Sequence, residues 1–131
     1  MILVDTSAWI EYDRATESAV DRRLTRAIEH RETLATVGFV ELELLAGARD
    51  EKHARDVERL FAMCRFLPLD EAADYETAAT LYRACRLGGE TVRRVQDCLI
   101  AAVAIRAGAE LLHCDAGFEV IARHAPLALA T

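Results

Sequence analysis

Proline is nearly absent from this 131-residue chain, with two residues, and glycine is sparse, with six. That scarcity excludes a disordered or low-complexity segment. Lysine is scarcer still. Of 16 basic side chains only Lys52 is a lysine, and the rest are arginines. Arginine suits bidentate contact with phosphate or carboxylate, although such a bias also follows from genome composition. Net positive charge is missing altogether: the formal charge is −6. The chain therefore lacks the basic footprint of proteins that hold nucleic acid by bulk charge, and any such contact must come from locally placed arginines. No apolar stretch approaches the roughly 20 residues of a membrane span. Met1 to Val4 is too short for the apolar region of a signal peptide, because Asp5 ends it, so a cytoplasmic protein is expected. Cys64, Cys85, Cys98 and Cys114 show no CxxC spacing and sit in apolar segments. They read as reduced, small core residues rather than disulfides or a zinc site.

What is present is apolar and helix-forming. Fifty-three per cent of residues are hydrophobic and only 6% aromatic, enough for a real core in one domain spanning residues 1–131. Ile2–Val4 reads as a short buried strand, Leu34–Val37, Leu111–Cys114 and Leu127–Leu129 as further strands, and Phe66–Leu69 as a short strand or extended edge. Between them lie helical patterns: Ser7 can cap a first helix through Tyr12, a second runs from about Glu17 to His30, and a third from Phe39 to Ala48. A fourth spans Asp50 to Cys64, with Val57, Leu60, Phe61 and Cys64 on one face. A fifth is capped by Asp70 and stops at Gly88-Gly89; a sixth covers Val95 to Ala107 and is closed by Gly108; a seventh covers Ala116 to His124. Short apolar strands alternating with helices predict an α/β domain with a mostly parallel central sheet of four to five strands flanked by helices. Ligands of such sheets bind beyond the carboxyl ends of the strands.

Acidic residues are common, 22 in all, so position decides which are informative. Asp5 follows Ile-Leu-Val directly, Asp97 opens the most apolar helix, and Asp115 follows Leu-Leu-His-Cys. A carboxylate in such a place costs several kcal/mol unless it is paired or metal-bound. Each also has a local explanation: Asp5 as a turn residue, Asp97 and Asp115 as helix caps. Together, though, acids converging on one sheet edge repel one another, and bound cations remove that repulsion. An oxygen-only set without Cys or His ligands points to Mg²⁺ or Mn²⁺ rather than Zn²⁺. On the third helix Glu41 and Glu43 stand about 200° apart, so only one of them can face the site, and periodicity does not choose between them. His30, His53, His113 and His124 have no metal-ligand spacing, and only His113 adjoins the acids.

Four segments, in order, carry a family resemblance. Met1 to Tyr12 (Met-Ile-Leu-Val-Asp-Thr-Ser-Ala-Trp-Ile-Glu-Tyr) resembles the opening of a PIN-domain nuclease. Glu43 to Ala48 resembles that family's central Glu-x-x-x-Gly helix, Asp97 to Ala102 its Asp-x-x-Ile-Ala-Ala helix, and Leu111 to Phe118 its last acidic motif. The likeness is nearest to VapC toxins of toxin–antitoxin pairs. It implies a metal-dependent endoribonuclease with Asp5, Glu43, Asp97 and Asp115 as metal-holding and catalytic acids, Mg²⁺ or Mn²⁺ as cofactor and RNA as substrate. It also implies a VapB-like antitoxin, with a homodimer that becomes a heterotetramer or larger with that antitoxin. The spacing to Gly47 selects Glu43 over Glu41. Two positions depart from the pattern: His113 stands where Thr or Ser is usual, and Gly117 where many members carry another acid. Thr6 and Ser7 can orient Asp5 or touch a phosphate. Arg83, Arg86, Arg93 and Arg94 can supply phosphate contacts, or are simply solvated. Trp9 and Tyr12 belong either to a partner groove or to the core. The same acids would also serve a DNA-cleaving or phosphatase-like enzyme, and a catalytically weak binding module remains an alternative.

Overall fold

A computed structural model describes residues 1–131. The strands β1 (Ile2–Val4), β2 (Leu34–Thr36), β3 (Arg65–Phe66) and β4 (Glu110–Leu112) form one sheet in the order β3-β2-β1-β4, and every pairing is parallel. β1 and β2 are buried along their whole length, which is what their unbroken apolar runs require of central strands in a covered parallel sheet. The predicted fifth strand at Leu127–Leu129 is reduced to a single bridge, Leu111 to Leu129, with Leu111 N–H donating to the Ala128 carbonyl at 2.8 Å. The third strand covers Arg65–Phe66 instead of Phe66–Leu69, because Pro68 carries no N–H to continue a ladder.

Seven helices connect and cover the strands: α1 (Thr6–Asp13), α2 (Ala19–Glu29), α3 (Gly38–Ala46), α4 (Glu51–Ala62), α5 (Glu71–Leu87), α6 (Val95–Ala107) and α7 (Ala116–His124). The N-cap of α1 is Asp5, not the expected Ser7: its carboxylate accepts from Ser7 N–H, so the helix begins two residues earlier, at Thr6. α6 has no polar stripe. Asp97 through Ala104 are all buried, as expected of a helix lying between the sheet and its neighbours α5 and α7. It ends at Gly108, whose φ of +66° is the left-handed conformation glycine reaches without a Cβ penalty. The buried apolar residues form one connected core around β1, α6 and α7. Of the cysteines, Cys85 and Cys98 join this core, whereas Cys114 is exposed in the β4–α7 connection, because β4 ends at Leu112 and not at Cys114. No helix is long and apolar enough to cross a membrane.

One ion pair with a buried acid and a partly exposed base ties α5 to α6. Asp74, 1% exposed, accepts from Arg106 Nε at 2.9 Å and Nη2 at 2.8 Å, and the same Nη2 donates to the Pro68 carbonyl. The guanidinium holds the Asp74 carboxyl below its usual range. Asp74→Ala strips Arg106 of its partner while leaving the guanidinium in place. Because Arg106 keeps access to water, the substitution should cost about 1.5 kcal/mol in urea unfolding, less than breaking a fully buried pair, and a loss under about 0.5 kcal/mol would mean the pair does not hold the helices together.

Candidate active site

Three of the four acids sit at helix N-termini on the carboxyl edge of the sheet. Asp5 leaves β1, where its N–H still donates to the Leu112 carbonyl at 2.9 Å, and caps α1. Asp115 caps α7, with its Oδ1 accepting from Gly117 N–H at 2.8 Å. Asp97 lies in the first turn of α6, three residues after the N-cap Arg94. Asp115 is thus the helix cap its position suggested, whereas Asp5, read as a turn residue, caps α1, and Asp97, read as a cap, lies inside the first turn of α6 behind Arg94. The positive ends of the three helix dipoles face the gathered carboxylates.

Ser7 fixes this arrangement from two sides. Its Oγ donates to Asp5 Oδ2 at 2.6 Å and accepts from Cys114 N–H at 2.8 Å, tying the β4–α7 connection to the start of α1. Thr6 does not orient Asp5; its Oγ1 donates to Glu43 Oε1 at 3.2 Å. Glu43, from α3, also accepts from Arg94 Nη2 at 2.9 Å. Glu41 is directed away. Its charge acts on Cys64, whose thiol burial, aided by that carboxylate, pushes up to about 11. His113 accepts from Asp115 N–H through Nδ1 and approaches Glu119 at 3.5 Å, so it braces the loop rather than entering the acid cluster.

Electrostatics show that the acids share one environment. Asp97 is 4% exposed, and its carboxyl is pushed up to about 7, first by burial, then by Asp115, with Asp5 and Glu43 adding and Arg94 opposing. Asp5 is raised as well: burial dominates, the Ser7 hydrogen bonds oppose it, and Glu43 adds. As arranged here, no three acid, histidine or cysteine groups form a set able to hold a metal ion; Glu43 is engaged by Thr6 and Arg94. The donor chemistry nonetheless fits a hard divalent cation, being carboxylate and hydroxyl oxygen only. There is also room for one: a Cβ on Gly117 would stand 3.2 Å from both Asp97 Oδ2 and Asp115 Oδ1, so the glycine leaves a cradle between two helix-terminal carboxylates.

Beside the acids runs a cleft of about 370 Å³, bounded by Thr6 and Glu43 at one end and by Trp9, Leu44, Val57 and Phe61 along its floor. Trp9 is 2% exposed and packs edge-on to Tyr12 and Phe61, so it belongs to the core and to the cleft floor together.

The chain matches the PIN domain family over residues 2–124 and belongs to it. It is 48% identical over 124 residues to a VapC ribonuclease of Mycobacterium bovis and equally to ribonuclease VapC11 of Mycobacterium tuberculosis. Each alignment covers 94% of this chain and 92% of the relative. The fold is also that of VapBC2 from Rickettsia felis, solved bound to a DNA fragment from its promoter. That likeness has a TM-score of 0.75 at 19% identity, over 99% of this chain and 98% of that one.

The raised Asp97 makes a stability prediction. Its proton is held more tightly in the folded chain than in the unfolded one, so the stability this group contributes is complete below about pH 4 and is lost as pH rises through 7. With a chelator present, Asp97→Asn should melt a few degrees above the parent at pH 8, and the gap should narrow at pH 5. Calorimetry that finds the variant melting lower at pH 8 would show that Asp97 is not strained by burial and repulsion.

Proposed function

We propose that this chain is the toxin of a VapBC-type toxin–antitoxin pair, an Mg²⁺- or Mn²⁺-dependent endoribonuclease that hydrolyses RNA phosphodiester bonds. The observation that carries the reading is the gathering of Asp5, Asp97 and Asp115 at three helix N-termini, with Glu43 facing them. The two mycobacterial relatives are named ribonucleases and cover nearly the whole chain, which supports RNA as substrate. Asp5 and Asp97 are the principal metal ligands, with Glu43 and Asp115 as further ligands, direct or through water. The metal supplies charge stabilisation at phosphorus and a water activated for attack. The chain does the rest. Ser7 holds the Asp5 carboxylate in one orientation, Thr6 holds Glu43, burial of Asp97 lowers the local dielectric, and Gly117 keeps the space between Asp97 and Asp115 open.

The partner is a VapB-like antitoxin, in keeping with the structural likeness to VapBC2. Its tail lies in the cleft that ends at Thr6 and Glu43, where an antitoxin arginine would meet carboxylates it matches bidentately. A second copy of the chain covers the apolar hollow between α3, β3 and α6, where Leu42 is 64% and Phe66 53% exposed.

The test is cleavage of single-stranded RNA, duplex DNA and a phosphomonoester side by side. RNA alone should be cut, a chelator should stop it, and Mg²⁺ or Mn²⁺ should restore it. Asp5→Asn and Glu43→Gln should each lower kcat by about a hundredfold or more without loss of fold, while Glu41→Gln stays within about twofold. Full activity in Asp5→Asn, or a severe Glu41→Gln beside a silent Glu43→Gln, would reject these assignments.

A further inference from the structure

Arg94 occupies an N-cap position, yet its side chain makes no capping hydrogen bond. It reaches across to α3 and donates to Glu43 Oε2 through a single nitrogen, with the side chain 46% exposed at the solvent rim of the cluster. Its charge lowers the Asp97 pKa, and the charges of Glu43, Asp97 and Asp5 all act back on it. One guanidinium therefore faces three of the four acids. Three cations on neighbouring segments are engaged elsewhere: Arg83 by Thr80, and Arg123 and His124 by Glu90.

A guanidinium and a divalent metal seek the same oxygens. Glu43 has one oxygen on Thr6 and the other on Arg94, so a metal that takes Glu43 as a ligand displaces an existing ion pair. The displaced guanidinium has five donors in a planar fork and stays charged. It stands on an acidic protein, at the rim of the acid cluster, where a phosphate is the anion that must arrive.

We propose that Arg94 is a positioning residue exchanged between two anions: it neutralises Glu43 before metal binds, and metal capture by Glu43 hands its guanidinium to a phosphate of the RNA. The inference rests on the metal-site reading given above. Metal and Arg94 compete for Glu43, while Glu43 and phosphate compete for Arg94. Metal and RNA therefore tighten each other's binding, and by linkage the coupling is the same in either direction.

The experiment titrates Mn²⁺ by electron paramagnetic resonance into the antitoxin-free toxin, its Arg94→Gln variant and its Arg94→Lys variant. A phosphorothioate-linked single-stranded RNA, followed by fluorescence anisotropy, reports RNA affinity over a range of salt. Without RNA, Arg94→Gln should bind Mn²⁺ about fivefold tighter than the parent, with Arg94→Lys between them. With Mn²⁺ present, Arg94→Gln should bind RNA more weakly. The slope of its log affinity against log salt should fall by about 0.7, the loss of one single-strand phosphate contact. RNA should strengthen Mn²⁺ binding in the parent and not in Arg94→Gln. Mn²⁺ affinity equal to or weaker than the parent's overturns the exchange, and an unchanged salt slope overturns the phosphate contact. A parent chain that cuts RNA without binding Mn²⁺ overturns the metal site itself, a result distinct from either. Arg94 offsets repulsion among the acids, so Arg94→Gln should melt somewhat below the parent and the titrations are run well below that temperature. Arg94→Lys, which keeps the charge, must fall between parent and Arg94→Gln in both affinities, and a lysine variant outside that interval overturns the exchange.

Discussion

Repulsion between carboxylates is the constraint around which the rest of this structure is arranged. Four acids from β1–α1, α3, α6 and β4–α7 meet at one edge of a parallel sheet. Left to themselves they would separate or take up protons. Three devices oppose this. The N-termini of α1 and α7 donate the Ser7 and Gly117 N–H groups to Asp5 and Asp115, and the positive dipole end of α6 lies at Asp97. Ser7 bonds to Asp5 and to the loop that carries Asp115. Arg94 places a cation at the rim. Asp97 is still pushed up to about 7, first by burial and then by Asp115, so these devices reduce the repulsion without abolishing it.

The energetic scale explains why α6 has the composition it does. Raising a carboxyl from its ordinary value to about 7 corresponds to a few kcal/mol, a large share of the roughly 5–15 kcal/mol that holds a domain folded. The seven residues after Asp97, Cys98 through Ala104, are all buried. Leu99, Ile100 and Val103 each contribute about 1.5–3 kcal/mol on burial, enough to offset the strained acid that begins the run. An acid in the first turn of a mostly apolar helix is thus offset by the burial of the same helix it burdens.

That pairing of acid and apolar run is why much of the site was legible in the sequence. Asp5 after Ile2–Val4 and Asp97 before Cys98 are visible because each breaks an apolar pattern at a place where water is excluded. Strand and helix order followed from alternation, and the stop at Gly108 from glycine's left-handed conformation. Other features were not legible because they are decided between distant segments. The Arg94–Glu43 pair joins residues 51 apart, and no local spacing marks it among the four arginines near Gly88-Gly89. Thr6 turns to Glu43 and not to its neighbour Asp5 for the same reason. The Leu127–Leu129 segment has strand-forming residues, but it meets only one residue of β4, so it makes a bridge and no ladder.

The two departures from the family pattern take on a physical meaning in this geometry. An acid at position 117 would add a fifth negative charge beside Asp97 and Asp115, and its Cβ alone would come within 3.2 Å of an oxygen of each. Glycine there removes that crowding and leaves the space between the two carboxylates open. His113 stands where a hydroxyl is usual, but it bonds backward, to the N–H of Asp115, and packs on Phe118, which is fully buried. A ring anchored to the core at one side and to the Asp115 backbone at the other fixes the turn that carries the acid. On the proposed metal site, one potential ligand fewer at the α7 corner would throw more weight on Glu43, and Glu43 is the carboxylate that Arg94 already holds.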